Sequence, residues 1–202
     1  MSGEIVTATV GFFGKLPAHG DFIRRGLPTA TTSLLDDWVQ AGFGRADDPA
    51  AAIRGLPPVR FASSAVVDGA LCLGTMIASN DSVGRDYVLV AVHLSPNVSG
   101  ALPEPLPDAW DDWCARAEAL LLAAQSVPLT ADATQAALET AARATVMALG
   151  GAEPFAVPDD IEPATASWRP AVGSGERRVM RSDGLPRGDA FDRLVAPVGD
   201  GA

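Results

Sequence analysis

The chain has 202 residues, of which 48% are hydrophobic, enough to bury one sizeable core. Its formal net charge of −10 argues against nucleic-acid binding, which needs a basic face to displace counterions from phosphates, and equally against an anionic membrane surface. Residues 1–15, MSGEIVTATVGFFGK, lack the basic start and long apolar stretch of a secretory signal, and no later apolar run reaches the roughly 18 residues of a membrane-spanning helix. A cytoplasmic protein without membrane insertion is expected. Cys72 and Cys114 sit inside apolar patterns, which predicts buried free thiols and no disulfide framework.

In chain order, residues 5–13 are β-branched and aromatic and end at Gly14, a strand pattern. Residues 15–28, with two Leu-Pro pairs and two glycines, interrupt any period and read as a loop with room for one short helical turn. From Thr31, Leu34, Leu35, Trp38 and Val39 recur at helical spacing. Ser33 and Asp36 resemble a capping box, and the helix is expected to end near Gly42 or Gly44. After a Pro/Ala-rich connection come three strand patterns, Val59–Ser63, Leu71–Ser79 and Tyr87–Ser95. The last two are apolar at nearly every position, so both of their faces should be covered.

Four prolines make residues 96–107 a connector. Asp108 then reads as the N-cap of a helix that places Trp110, Trp113, Ala117, Leu120 and Leu121 on one face. A second helix is expected from Thr130 to Leu149, with Gly150 as its cap. Two short strands near Ala166–Arg169 and Arg177–Arg181 and a last helix near Asp189–Val195 complete the order. The fold class expected is α/β of the α+β kind: a single domain over residues 1–202, with a mostly antiparallel mixed sheet and helices packed on both faces.

Catalytic and metal-binding constellations are not evident. His19 and His93 are far apart, the cysteines have no CxxC partner, and the segment Gly11 to Lys15 is too short between its glycines for a phosphate-binding loop. Gly173-Ser174-Gly175 does not have the spacing of a nucleophile elbow. The acid pairs Asp36/Asp37, Asp47/Asp48, Asp111/Asp112 and Asp159/Asp160 fall mostly at helix starts or in polar connections, which suits solvated or capping carboxylates. No enzyme activity, no cofactor and no metal are expected.

The segment from Gly11 to Arg25, GFFGKLPAHGDFIRR, resembles the N-terminal hallmark of the TagF (ImpM) family of type VI secretion-associated proteins. The resemblance continues through Asp37-Trp38, through Asp81-Ser82-Val83-Gly84-Arg85-Asp86-Tyr87, and through Gly184-Leu185-Pro186 with Phe191. It implies a post-translational repressor of type VI secretion that binds a forkhead-associated-domain scaffold of the secretion machine. A structural subunit of the secretion baseplate or membrane complex is the alternative.

Within these segments, Gly14, Gly20 and Gly84 are expected where the backbone needs positive φ or another segment packs close. Arg24, Arg25 and Arg85 offer planar forks suited to a carboxylate or a phosphate. Either Asp21 or Asp81 pairs with Arg85 and ties the two loops together, or the arginines face a partner. Lys15, Arg24 and Arg25 gather positive charge in an acidic chain, with Phe22 and Ile23 between them as apolar anchors or core residues. The partner-binding set read from the sequence is therefore Lys15, Asp21, Phe22, Arg24, Arg25 and Arg85. The four tryptophans, Trp38, Trp110, Trp113 and Trp168, are read as core residues in preference to interface anchors.

Overall fold

A computed structural model describes residues 9–67, 70–96, 102, 104–149, 164–169 and 179–196. The expected beginning of the first strand, Gly150, the pair Asp159/Asp160, Gly173-Ser174-Gly175 and the Arg177–Arg178 start of the seventh strand lie outside the described residues. Seven strands form one sheet: β1 (Thr9–Gly14), β2 (Ile23–Arg25), β3 (Val59–Val67), β4 (Ala70–Asn80), β5 (Asp86–Pro96), β6 (Thr165–Trp168) and β7 (Val179–Ser182). They lie in the order β2-β1-β5-β4-β3-β6-β7, and every neighbouring pair is antiparallel. The sheet, expected to be mostly antiparallel, is antiparallel throughout the described strands.

Alternation along each strand feeds two cores. Phe12, Leu71, Leu73, Ile77, Leu89, Ala91 and Trp168 face helices α3 (Asp108–Ser126) and α4 (Ala131–Leu149). Phe13, Cys72, Met76, Val88, Val90, Val92 and Leu94 face the opposite layer. That layer holds α1 (Thr29–Phe43), α2 (Pro49–Arg54) and α5 (Asp189–Val195). The apolar patterns of β4 and β5 are therefore explained by cover on both faces. All four tryptophans are buried, as are both cysteines, which are free.

Two elements were not anticipated. Residues 23–25 form a short strand because Phe12, Phe13 and Gly14 of β1 offer a free edge to Arg25, Arg24 and Ile23. α2 has a local signal in the Asp48-Pro49 pair: the Asp48 side chain accepts the Ala51 N–H at 2.9 Å, and proline suits the first helical turn. α1 begins at Thr29, ahead of the Ser33/Asp36 capping box expected. Pro28, extended at ψ 143°, is its N-cap, and the Pro28 carbonyl takes both the Thr32 N–H at 3.0 Å and the Thr32 hydroxyl at 3.2 Å. α3 likewise starts on Pro107, with Asp108 as the first helical residue.

Asp111 corrects the solvated reading of its acid pair. Beneath α3, the Arg60 guanidinium, 4% exposed, donates Nε and Nη2 to the two carboxylate oxygens of Glu118 at 2.6 and 2.7 Å, and Nη1 to Asp111 Oδ1 at 2.6 Å. Trp168 Nε1 donates to the same Asp111 oxygen at 2.7 Å, and the Thr75 hydroxyl donates to Glu118 Oε1 at 2.9 Å. Burial by itself disfavours the Arg60 charge, but the hydrogen bonds and charges of Glu118 and Asp111 more than offset it and raise the guanidinium above its ordinary value. This network joins β3, β4, β6 and α3 at one point. No described helix is long and apolar enough to cross a membrane.

A partner removed from a buried charge pair leaves its opposite uncompensated, whereas an exposed pair is replaced by water. Glu118→Ala is expected to lower the unfolding free energy by about 3–5 kcal/mol. Arg25→Ala, which removes the exposed Arg25–Asp132 pair, should cost less than about 1 kcal/mol. Denaturant titration of both variants checks the contrast.

Candidate protein-binding surface

β1 and β4 end, and β5 begins, at the same end of the sheet, so the loop after Gly14 and the loop between Asn80 and Asp86 meet there. Gly14 permits the turn into the first loop: its φ is 127°, and an added Cβ would lie 2.1 Å from the Val88 carbonyl oxygen. In the second loop Gly84 has φ 79° with open space around it, so conformation and not packing requires glycine there. Gly20 differs from the expectation; it has no positive φ, and the nearest neighbour to an added Cβ is the Ser82 hydroxyl at 3.4 Å.

Asp81, 2% exposed, holds the corner together. Its Oδ1 accepts the N–H groups of Val83 at 3.1 Å and Arg85 at 2.9 Å, closing its own loop. Its Oδ2 accepts Arg85 Nε at 2.7 Å and lies 3.2 Å from Lys15 Nζ, reaching the other loop. Lys15 Nζ also donates to the Arg85 carbonyl at 3.3 Å, and Arg85 Nη2 donates to the Gly20 carbonyl. The Ser82 N–H bonds the His19 carbonyl at 2.9 Å, and His19 Nε2 accepts the Ala131 N–H at 3.0 Å, which brings the start of α4 to the same corner. Burial alone would raise the Asp81 carboxyl; the Arg85 amide and guanidinium, the Lys15 ammonium and the Val83 amide outweigh it and hold the group far below the ordinary carboxylate range.

The six residues read from the sequence thus divide. Lys15 and Arg85 are tied to Asp81, which resolves the pairing alternatives in favour of Asp81. Asp21 makes no ion pair within the described residues and is exposed. Arg25 pairs with Asp132 of α4 at 2.9 Å. Arg24 is exposed, and its guanidinium bonds no described residue. Phe22, 42% exposed, stands with its ring centroid 6.1 Å from Phe13 and 6.0 Å from Tyr87, while its neighbour Ile23 is buried in the core. Tyr87 in turn donates its hydroxyl to Asp36 of α1; burial, with the Asp36 carboxylate, pushes the phenol up and keeps it a donor.

The other two segments of the resemblance also meet. Trp38 Nε1 donates to the Pro186 carbonyl at 2.8 Å. The Phe191 ring lies edge-on to Trp38 at 5.6 Å and to Phe43 at 5.2 Å, directly over Gly42. Neither Asp81 nor this ring stacking has a periodic signature; their clue in the sequence is the Asp-Ser-Val-Gly-Arg turn and the glycine opposite an aromatic.

A carboxylate whose folded value is depressed contributes stability above its unfolded value and loses it as pH falls through the folded one. The stability difference between the native protein and Asp81→Ala should therefore be constant above about pH 5 and shrink below about pH 4. At neutral pH Arg85→Ala should lower the melting temperature less than Asp81→Ala, because Lys15 and the two loop amides still satisfy the carboxylate. Thermal melts of both variants across pH read the two effects.

Comparison with known proteins accords with this arrangement. Residues 11–141 match the family model of the TagF N-terminal domain, described as type VI secretion system-associated. The crystal structure of PA0076 from Pseudomonas aeruginosa PAO1 is similar with a TM-score of 0.65 and 25% sequence identity, covering 96% of each chain. No curated protein sequence matches. The match runs from Gly11 in β1 through both loops of the corner and into α4, well over half of the chain, and on that ground the chain belongs to the TagF family of type VI secretion-associated proteins.

Proposed function

We propose that this protein is a cytoplasmic, post-translational negative regulator of type VI secretion that works by binding a protein, a forkhead-associated-domain scaffold of the secretion machine, and not by catalysis. Family membership supports the secretion context. The observation that carries the binding reading is the division of labour at the corner. Asp81 occupies Lys15 and Arg85 internally, while Phe22 and Arg24, in the most diagnostic segment, are presented outward from a backbone held by cross-loop hydrogen bonds. Side chains displayed from a fixed backbone lose little freedom on binding, so more of their contact energy appears as affinity.

Deletion of the gene is the test. Secretion output should rise while transcript levels of the secretion genes stay constant, and the tagged protein should recover the scaffold from its host. Abolished secretion, with stoichiometric recovery of baseplate or membrane-complex components, would assign the chain to the structural subunits instead.

A further inference from the structure

We propose that the α3–α4 layer is an acid-sensitive cover: the chain's two histidines hold it to the sheet in their neutral form, and their protonation loosens it ahead of the α1 layer. The sequence has two histidines, and both meet this layer. His93 of β5 lies opposite Val10 of β1 and Leu73 of β4 and shares their α3–α4 face. It is 3% exposed, with its ring centroid 5.8 Å from that of Trp113 and Nδ1 sharing a 3.1 Å hydrogen bond with the Ser95 hydroxyl. Trp113 is itself buried, and its Nε1 meets no acceptor among the described residues. Burial lowers the His93 imidazole below its ordinary value, so a charge on this ring favours the state in which α3 has lifted and water reaches it. His19 acts at the other end of the layer. Its N–H bonds the Leu16 carbonyl and its carbonyl accepts the Ser82 N–H, both at 2.9 Å, which aims Nε2 at the start of α4, where it accepts the buried Ala131 N–H at 3.0 Å. The Thr130 hydroxyl is occupied with the Ala133 N–H at 3.2 Å. Only a nitrogen without a proton can accept; a proton on Nε2 sets donor against donor and adds positive charge at the positive end of a helix dipole.

The charges around the two rings leave a new proton uncompensated. Near His19, Lys15 and Arg85 are bound to Asp81, and Arg25 to Asp132 at the start of α4. Asp21, two residues on, is exposed and screened by water. Val10, Leu73 and Trp113, which flank or cover His93, carry no charge. The charged side chains nearest along their elements are Asp112 and Arg116 of α3, both exposed, and Glu139 of α4, also exposed, which takes the Gln135 amide that bonds the Val10 carbonyl. Glu118 and Asp111 are held by Arg60. Asp81 is held far below the imidazole range, and burial pushes both cysteine thiols up and away from it. A base that folding depresses contributes stability that is complete above its unfolded value and declines as pH falls below it. For His93 alone, acidification to about one unit below the ordinary imidazole value of about 6.5 should raise the population of the opened layer about tenfold.

Amide hydrogen exchange of the full chain at about pH 7.5 and about pH 5.5, corrected for the intrinsic exchange rate, is the test. Protection in α3 and α4 should fall about tenfold or more on acidification while α1 keeps its own. Unchanged protection in α3 and α4, or an equal loss in both layers, overturns the proposal. The double variant His19→Asn, His93→Gln keeps a side-chain acceptor for Ala131 and a hydrogen-bonding partner for Ser95 but takes up no proton, so its α3–α4 protection should no longer respond to acid. A response as large as that of the native protein overturns the proposal. Imidazole resonances of the native protein give a reading that needs no substitution: His93 should gain its proton together with the loss of α3 protection, and a protonated His93 beneath a fully protected α3 overturns the proposal.

Discussion

Burial of β4 and β5 on both faces is the constraint from which the rest of the architecture follows. These two strands pair over eleven residues from Ala70↔Pro96 to Asn80↔Asp86, and nearly every described side chain between is buried. A sheet of that kind is soluble only when each face has its own helical layer, and the chain provides α3 and α4 on one side and α1, α2 and α5 on the other. Close approach then becomes a local requirement. Gly74 admits the Phe61 ring, and Gly42 admits the Phe191 ring, each where a Cβ would come within 2.4 Å of an aromatic carbon.

A double-layered sheet leaves its strand ends as the places where irregular chain emerges, and here those ends are tied by charge. Asp81 serves as a single acceptor for two loops far apart in sequence, while Arg60 serves as the single donor to Glu118 and Asp111 inside the α3 layer. The two differ in consequence. The Arg60 guanidinium is buried beneath α3 with Asp111 partly open to solvent, whereas at the other corner the Asp81 carboxylate is buried and the Arg85 side chain is exposed. The family segments are thereby paired in space: the first with the Asp81 loop, and the Trp38 helix with Pro186 and Phe191.

Charges required for folding are neutralised within the corner, so the outward residues can be exchanged without loss of the scaffold.

How much of this was legible depended on the range of the interaction responsible. Hydrophobic periodicity and chain punctuation located β3, β4, β5, α3, α4 and α5, and the nearly unbroken apolar runs of β4 and β5 already implied a sheet covered on both faces. The segment from Gly11 to Arg25 was recognisable as a family signature before any contact was known. β2 was not legible, because three residues become a strand only when the edge of β1 is beside them. Asp111 read as one member of a solvated pair and Glu118 attracted no notice, since a carboxylate on a helix carries no mark of an arginine waiting on a strand more than fifty residues earlier. For the six surface candidates, composition named the cations but could not say which were consumed. Residue type and local spacing are properties of the sequence, and the Arg85–Asp81 pair spans only four residues; whether Lys15 reaches Asp81 and Arg25 reaches Asp132 depends on which distant backbone segments the packed sheet brings together, and that only the tertiary structure decided.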